Sequence, residues 1–120
     1  MARLLLAKAR ADLSAARLLA SDPDQDDGVI GFHAQQAAEK AVKAVLAASE
    51  AEIPRTHDLG YLFELVGSVA QVPQSVGDVV WLNPWAVTMR YDELDSPLDR
   101  RAAVGSAEAV VTWAQGLVPR

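Results

Sequence analysis

Between Gly28 and Ala51 the residues Ile30, Ala34, Ala37, Ala41, Val45 and Ala48 recur at steps of three and four. That spacing places them on one side of an α-helix, and alanine lets a neighbouring helix come close. A chain carrying this segment needs partner helices, and the remaining segments supply them. From Ala2 to Ser21, Leu5, Leu6, Ala9, Leu13, Ala16 and Leu19 form a second stripe of helical period. Asp22–Gly28 is a loop rich in acids, proline and glycine, in which Asp26 or Asp27 is placed to cap the following helix. Ile53-Pro54 breaks the long segment.

A third helix is expected to begin near Thr56–Asp58, with Leu59, Leu62, Phe63 and Val66 on one face and Pro73 as its end. Ser75–Met89 carries Val76, Val79, Val80, Leu82, Trp85 and Val87, with Pro84 predicting a kink or a break near Asn83. Ser96-Pro97-Leu98-Asp99 reads as the start of the last helix, capped by Ser96, with Ala102, Ser106, Val110, Trp113 and Leu117 on its face. No window alternates at period two for long enough to require a strand. The expectation is all-α: an up-and-down helical bundle of about five helices, forming one domain over residues 1–120.

Composition narrows the function classes. Without cysteine there is no disulfide, thiolate metal site or thiol nucleophile. A net charge of −5 argues against general coating of nucleic acid, and leaves room for a local basic site. The apolar N-terminal run is broken by Lys8, Arg10 and Asp12, which fits neither a signal peptide nor a membrane span, so a cytoplasmic protein is expected. Two histidines and no Glu-x-x-His give no support to a bundle di-metal site. Neither phosphate-binding glycine motif occurs, and no serine stands in a nucleophile elbow. No metal or cofactor is expected. Trp81, Trp85 and Trp113 stand at helical core spacing and read as packing residues.

Three groups of residues could carry chemistry. His33, Gln36, Lys40 and Lys43 fall within about 80° of one helix surface, as a polar, partly basic ridge beside the alanine face. They make either a solvated face, with the lysines offsetting Glu39, or a set of phosphate contacts. Arg55, His57 and Asp58 stand at a helix start, where backbone amides attract anions; alternatively Thr56 caps, His57 orients and Asp58 is a first-turn acid. Arg90 beside Tyr91 could clamp a phosphate or stack on a base, or hold its loop by pairing with Asp92, Glu93 or Asp95.

Taken in order, four segments resemble the HEPN family, small helical domains with a proposed nucleotide-binding role. They are Asp12-Leu13 through Leu18-Leu19, Gly31–Leu46 with its His33-Ala34-Gln35-Gln36-Ala37-Ala38-Glu39-Lys40 core, Thr56-His57-Asp58-Leu59, and Leu82-Asn83 through Arg90-Tyr91-Asp92. The resemblance implies a bundle in which the second helix and its neighbours pair two protomers. It also implies action beside a minimal nucleotidyltransferase made as a separate chain, often as a toxin–antitoxin pair. Active relatives cut RNA with an arginine, a short polar spacer and a histidine. Here Arg90 is followed by Tyr91-Asp92-Glu93-Leu94-Asp95-Ser96-Pro97 without a histidine, and Arg55 and His57 are too close to substitute. Proton transfer from a 2′-hydroxyl then lacks its usual group.

The resemblance therefore implies an accessory protein that dimerises and binds a nucleotide, an RNA segment or a nucleotidyltransferase partner. Lys40 and Lys43 would be phosphate contacts, His57 a cleft hydrogen bonder, Arg90 an anion clamp and Tyr91 a stacking or modifiable residue. His33, Gln36, Arg55 and Asp58 would stand in support. The alternatives are a non-catalytic interaction module with a decayed site, and an RNase in which His57 or His33 reaches toward Arg90.

Overall fold

The computed structural model describes residues 1–86 and 97–120. In chain order it contains α1 (Ala2–Ala20), α2 (Asp27–Ala48), α3 (Leu59–Val66), the single turn α4 (Gln74–Gly77), a 3-10 helix (Asp78–Ala86) and α5 (Arg100–Leu117). No strand occurs among the described residues, and the chain is an all-α bundle as its periodicity predicts. Helix α2 is the central element, packed by α1, α3, the 3-10 helix and α5. Its Ile30, Ala34, Ala37, Ala38, Ala41, Val42 and Ala44 are all solvent-free, which is the outcome expected of an alanine stripe with helices on both flanks.

Local chemistry sets where the helices begin and end. Asp26 caps α2 by accepting from the Gly28 amide at 2.7 Å. At the other end Glu50 adopts a left-handed φ of 59°, and the Ala51 amide returns to the Leu46 carbonyl at 3.0 Å. The helix thus stops at Ala48, ahead of the Ile53-Pro54 break.

Helix α3 also ends earlier than expected, at Val66 rather than at Pro73. Ser68 Oγ donates to the Leu65 carbonyl at 2.8 Å, a local bond that competes with helix continuation just after Gly67. Asp58, and not Thr56, is the cap of α3, accepting from the Gly60 amide at 2.9 Å. Thr56 instead accepts from the Asp58 amide at 3.1 Å and shapes the approach. Asp58→Ala should cost about 1 kcal/mol of stability, read as a lower denaturant midpoint with an unchanged m-value.

Pro84 lies inside a helix that continues to Ala86. The segment neither kinks nor breaks at Asn83 but winds as a 3-10 helix from Asp78. Val79, Leu82 and Trp85 are its buried residues, at a strict three-residue period that eclipses them on one face. The last helix begins at Arg100 with Asp99 as its cap, accepting from the Ala102 amide at 3.0 Å. Pro97 is therefore not its first residue, and Ser96 lies outside the described residues.

The buried face of α5 is Ala103, Ala107, Val110, Val111 and Ala114, about one position away from the expected face. The small residues turn toward α2, while Trp113 lies at the edge beside Phe63 and donates Nε1–H to the Gln71 carbonyl at 3.1 Å. Of the tryptophans only Trp85 is fully in the core. Trp81 is 40% exposed and donates to Ser106 Oγ at 3.1 Å, so its indole fastens the surface of α5.

Arg100 joins the ends of three elements. Its Nε donates to Asp27 Oδ1 at 2.8 Å and its Nη atoms to the carbonyls of Asp22 and Gln25, while Asp27 Oδ2 accepts from the Leu98 amide at 3.0 Å. The acidic α1–α2 loop is thereby fixed to the start of α5.

Candidate functional site

Among the described residues three polar side chains lie in the otherwise apolar core, Gln35, Gln36 and Glu39, all on α2. Buried polar groups need partners, and these find one another. Gln35 Nε2 donates to the His57 carbonyl at 3.0 Å and to Glu39 Oε1 at 3.3 Å. Gln36 Nε2 donates to Gln35 Oε1 at 2.8 Å and to Glu39 Oε1 at 3.2 Å. Glu39, only 3% exposed, completes its shell with Lys43 Nζ at 3.0 Å on Oε2 and His57 Nδ1 at 2.8 Å on Oε1.

The Glu39–Lys43 pair has the i,i+4 spacing of a surface pair but not its surroundings. The side chains are 4% and 14% exposed, so water screens the pair little. The His57 side chain is different, being 69% exposed. As a carboxylate, Glu39 only accepts, so the Nδ1–H of His57 donates to it and the Nε2 edge is presented to solvent.

A second arrangement of the same kind spans α1 and α2. Asp12 Oδ1 lies 2.9 Å from His33 Nδ1, and Asp12 Oδ2 lies 2.6 Å from Lys40 Nζ. Each of the two histidines thus shares a carboxylate with a lysine: His33–Asp12–Lys40 and His57–Glu39–Lys43.

The ridge His33, Gln36, Lys40 and Lys43 is consequently not the solvated face that charge patterning allowed. Gln36 is buried, His33, Lys40 and Lys43 are partly buried, and both lysines are already engaged by carboxylates. Arg55 and Asp58 lie exposed on either side of His57. Asn83 locks that corner, its Oδ1 accepting from the Leu59 amide at 2.9 Å and its Nδ2 donating to Asp58 Oδ1 at 3.1 Å. Arg90 and Tyr91 lie outside the described residues.

Sequence reasoning missed the parts played by Asp12, Gln35 and Asn83. A lone acid in an amphipathic helix carries no mark of the helix it will face. Two adjacent glutamines beside an alanine stripe were a usable signal, because consecutive positions on a helix packed all round cannot both reach water. Tyr61, in the first turn of α3, is 45% exposed and adds an aromatic surface four residues after His57.

Comparison with known proteins agrees with this architecture. The crystal structure of TT1696 from Thermus thermophilus superposes with a TM-score of 0.81 over 98% of each chain, at 22% sequence identity, and so shares the fold. No curated protein matches the chain. The HEPN domain family model matches residues 2–117, nearly the whole of the 120. The chain belongs to the HEPN domain family.

Proposed function

We propose that this HEPN domain is an accessory protein that dimerises and binds a nucleotide or RNA segment at the His57 corner. In this reading it works with a minimal nucleotidyltransferase as half of a toxin–antitoxin pair. The family implies a nucleotide- or RNA-related or interaction module; the finer reading rests on one observation. Glu39 is a buried carboxylate held by four side chains, and a core built only for stability is served as well or better by apolar residues. What the network does is hold Lys43 and an exposed His57 imidazole in fixed positions.

From that position Nε2 can reach a phosphate oxygen or a base edge, with exposed Arg55 and Tyr61 near it in sequence. Arg90, from its place in the family pattern, would supply the guanidinium. Lys40 and Lys43 contribute positive charge, although each is balanced by a carboxylate.

The test is titration of AMP, ATP and a short single-stranded RNA into the wild type and into His57→Ala and Arg90→Ala, with melting curves for each. The expected result is affinity at least tenfold weaker in both variants, with both still folded. Native mass spectrometry should show a dimer, joined in the host by a nucleotidyltransferase chain. Unchanged affinity in His57→Ala would sink the site.

One observation favours a second reading, a non-catalytic interaction module. Asp12 and Glu39 neutralise the two lysines of the ridge. A dimer that ignores nucleotides and RNA, and keeps its protein partner when His57, Lys40 and Arg90 are all replaced by alanine, would make that the better account.

A further inference from the structure

At the end of the bundle where α1 starts and α5 finishes, Arg3, Leu6, Arg10, Gln115, Val118, Pro119 and Arg120 enclose a cleft of about 570 Å³. Its chemistry runs against that of the whole chain. The sequence has 16 acidic residues and 11 lysines and arginines, yet three arginines and no acidic side chain line this cleft. No salt bridge joins Arg3, Arg10 or Arg120 to a carboxylate among the described residues.

Two details show order rather than a chance collection of surface arginines. With its amide oxygen turned to the guanidinium, Gln115 accepts from Arg10 Nε at 2.6 Å and Nη2 at 3.2 Å. This neutral side chain on α5 orients Arg10 without cancelling its charge. Second, Arg3 stands in the first turn of α1, where no acidic residue offsets the positive end of the helix dipole. A cation there is unfavourable for the helix by itself and becomes favourable when an anion is present. The floor is apolar, with Leu6 and Val118 both buried.

We propose that this cleft is a binding site for a small oligophosphate, or for the oligophosphate end of a larger metabolite. Guanidinium groups offer planar pairs of donors that match phosphate oxygens, and Arg3 and Arg10 line the cavity with no acidic side chain beside them, which favours entry of a multiply charged anion. The volume falls in the range of small-molecule sites. The lining residues share nothing with the His57 corner, so this site stands or falls independently of nucleotide binding there.

Calorimetric titration of the full chain with inorganic tripolyphosphate at low ionic strength is the test. One-to-one saturable binding is expected, weakened at least tenfold by Arg10→Ala and by Arg3→Ala, both exposed positions that leave the melting temperature in place. Arg101→Ala, in a separate cleft beside Arg17 and Arg100, should bind as the wild type does. Citrate, a multiply charged carboxylate, should bind at least fivefold more weakly. Absence of saturable binding at millimolar tripolyphosphate would overturn the proposal. So would equal losses in Arg10→Ala and Arg101→Ala, or equal affinity for citrate, because either would mean general charge attraction.

Discussion

Replacing Glu39 with alanine should destabilise the fold by about 3–5 kcal/mol, the usual cost of removing one partner of a buried charge pair. The loss exceeds that of a surface pair because four groups lose their acceptor together. Lys43, with its side chain 14% exposed, would keep a charge with no counter-charge, and Gln35 and Gln36 would each lose a bond inside the core. At about 4 °C per kcal/mol for a domain of this size, the melting temperature should fall by more than 10 °C. Glu39→Gln keeps the shape and one acceptor oxygen and should cost less than half as much. The companion double variant Glu39→Leu, Lys43→Met removes both charges and should recover much of the loss. If Glu39→Ala melts within about 2 °C of the wild type, the buried network contributes little to stability.

Gly31→Ala should also destabilise, by about 2 kcal/mol, although alanine is the better helix former by about 1 kcal/mol. Gly31 lies under the indole of Trp85, and a Cβ there would stand 2.5, 2.6 and 2.8 Å from three of its ring carbons. Atoms in contact need about 3.5 Å or more, so the ring or the helix must move. Trp85 is a large side chain in the core with little room to retreat. The decisive measurement is a double-mutant cycle with Trp85→Leu. Gly31→Ala should be neutral or stabilising in that background, because the propensity gain remains and the overlap is gone. Equal costs in both backgrounds would show that the glycine is needed for some other reason.

The bundle and its central helix follow from the sequence because helical periodicity is local. Ile30, Ala34, Ala37, Ala41 and Val45 are buried where their spacing puts them, as are Leu6, Ala9, Leu13 and Ala16. The cap of α2 was visible as one of two adjacent aspartates, and the structure selects Asp26, which acts on an amide two residues away. Errors arose where two local signals competed. Around Asp99, carboxylate capping prevailed over the Ser96-Pro97 start, and around Asp78 a three-residue apolar period prevailed over an α-helix interrupted by proline. The period of Val76, Val79, Leu82 and Trp85 was present in the sequence and is distinct from that of an α-helix.

The candidate site was legible as a set of residue types and not as an arrangement. His33, Gln36, Lys40, Lys43 and His57 can be picked out from spacing and resemblance, but their partners come from elsewhere in the chain: Asp12 is 28 residues from Lys40, and Glu39 is 18 residues from His57. Spacing within one helix fixes which residues share a face, and cannot say whether water or another helix covers that face. Local periodicity thus fixed the all-α class, the first two helices and the alanine-lined centre, and a composition without cysteine excluded thiol chemistry. It took the packing of the helices to cover most of the polar ridge, to hold both histidines by carboxylates shared with lysines, and to bring Arg3 and Arg10 beside Arg120 at one cleft. Burial and long-range pairing depend on which elements pack together, and no local pattern carries that information.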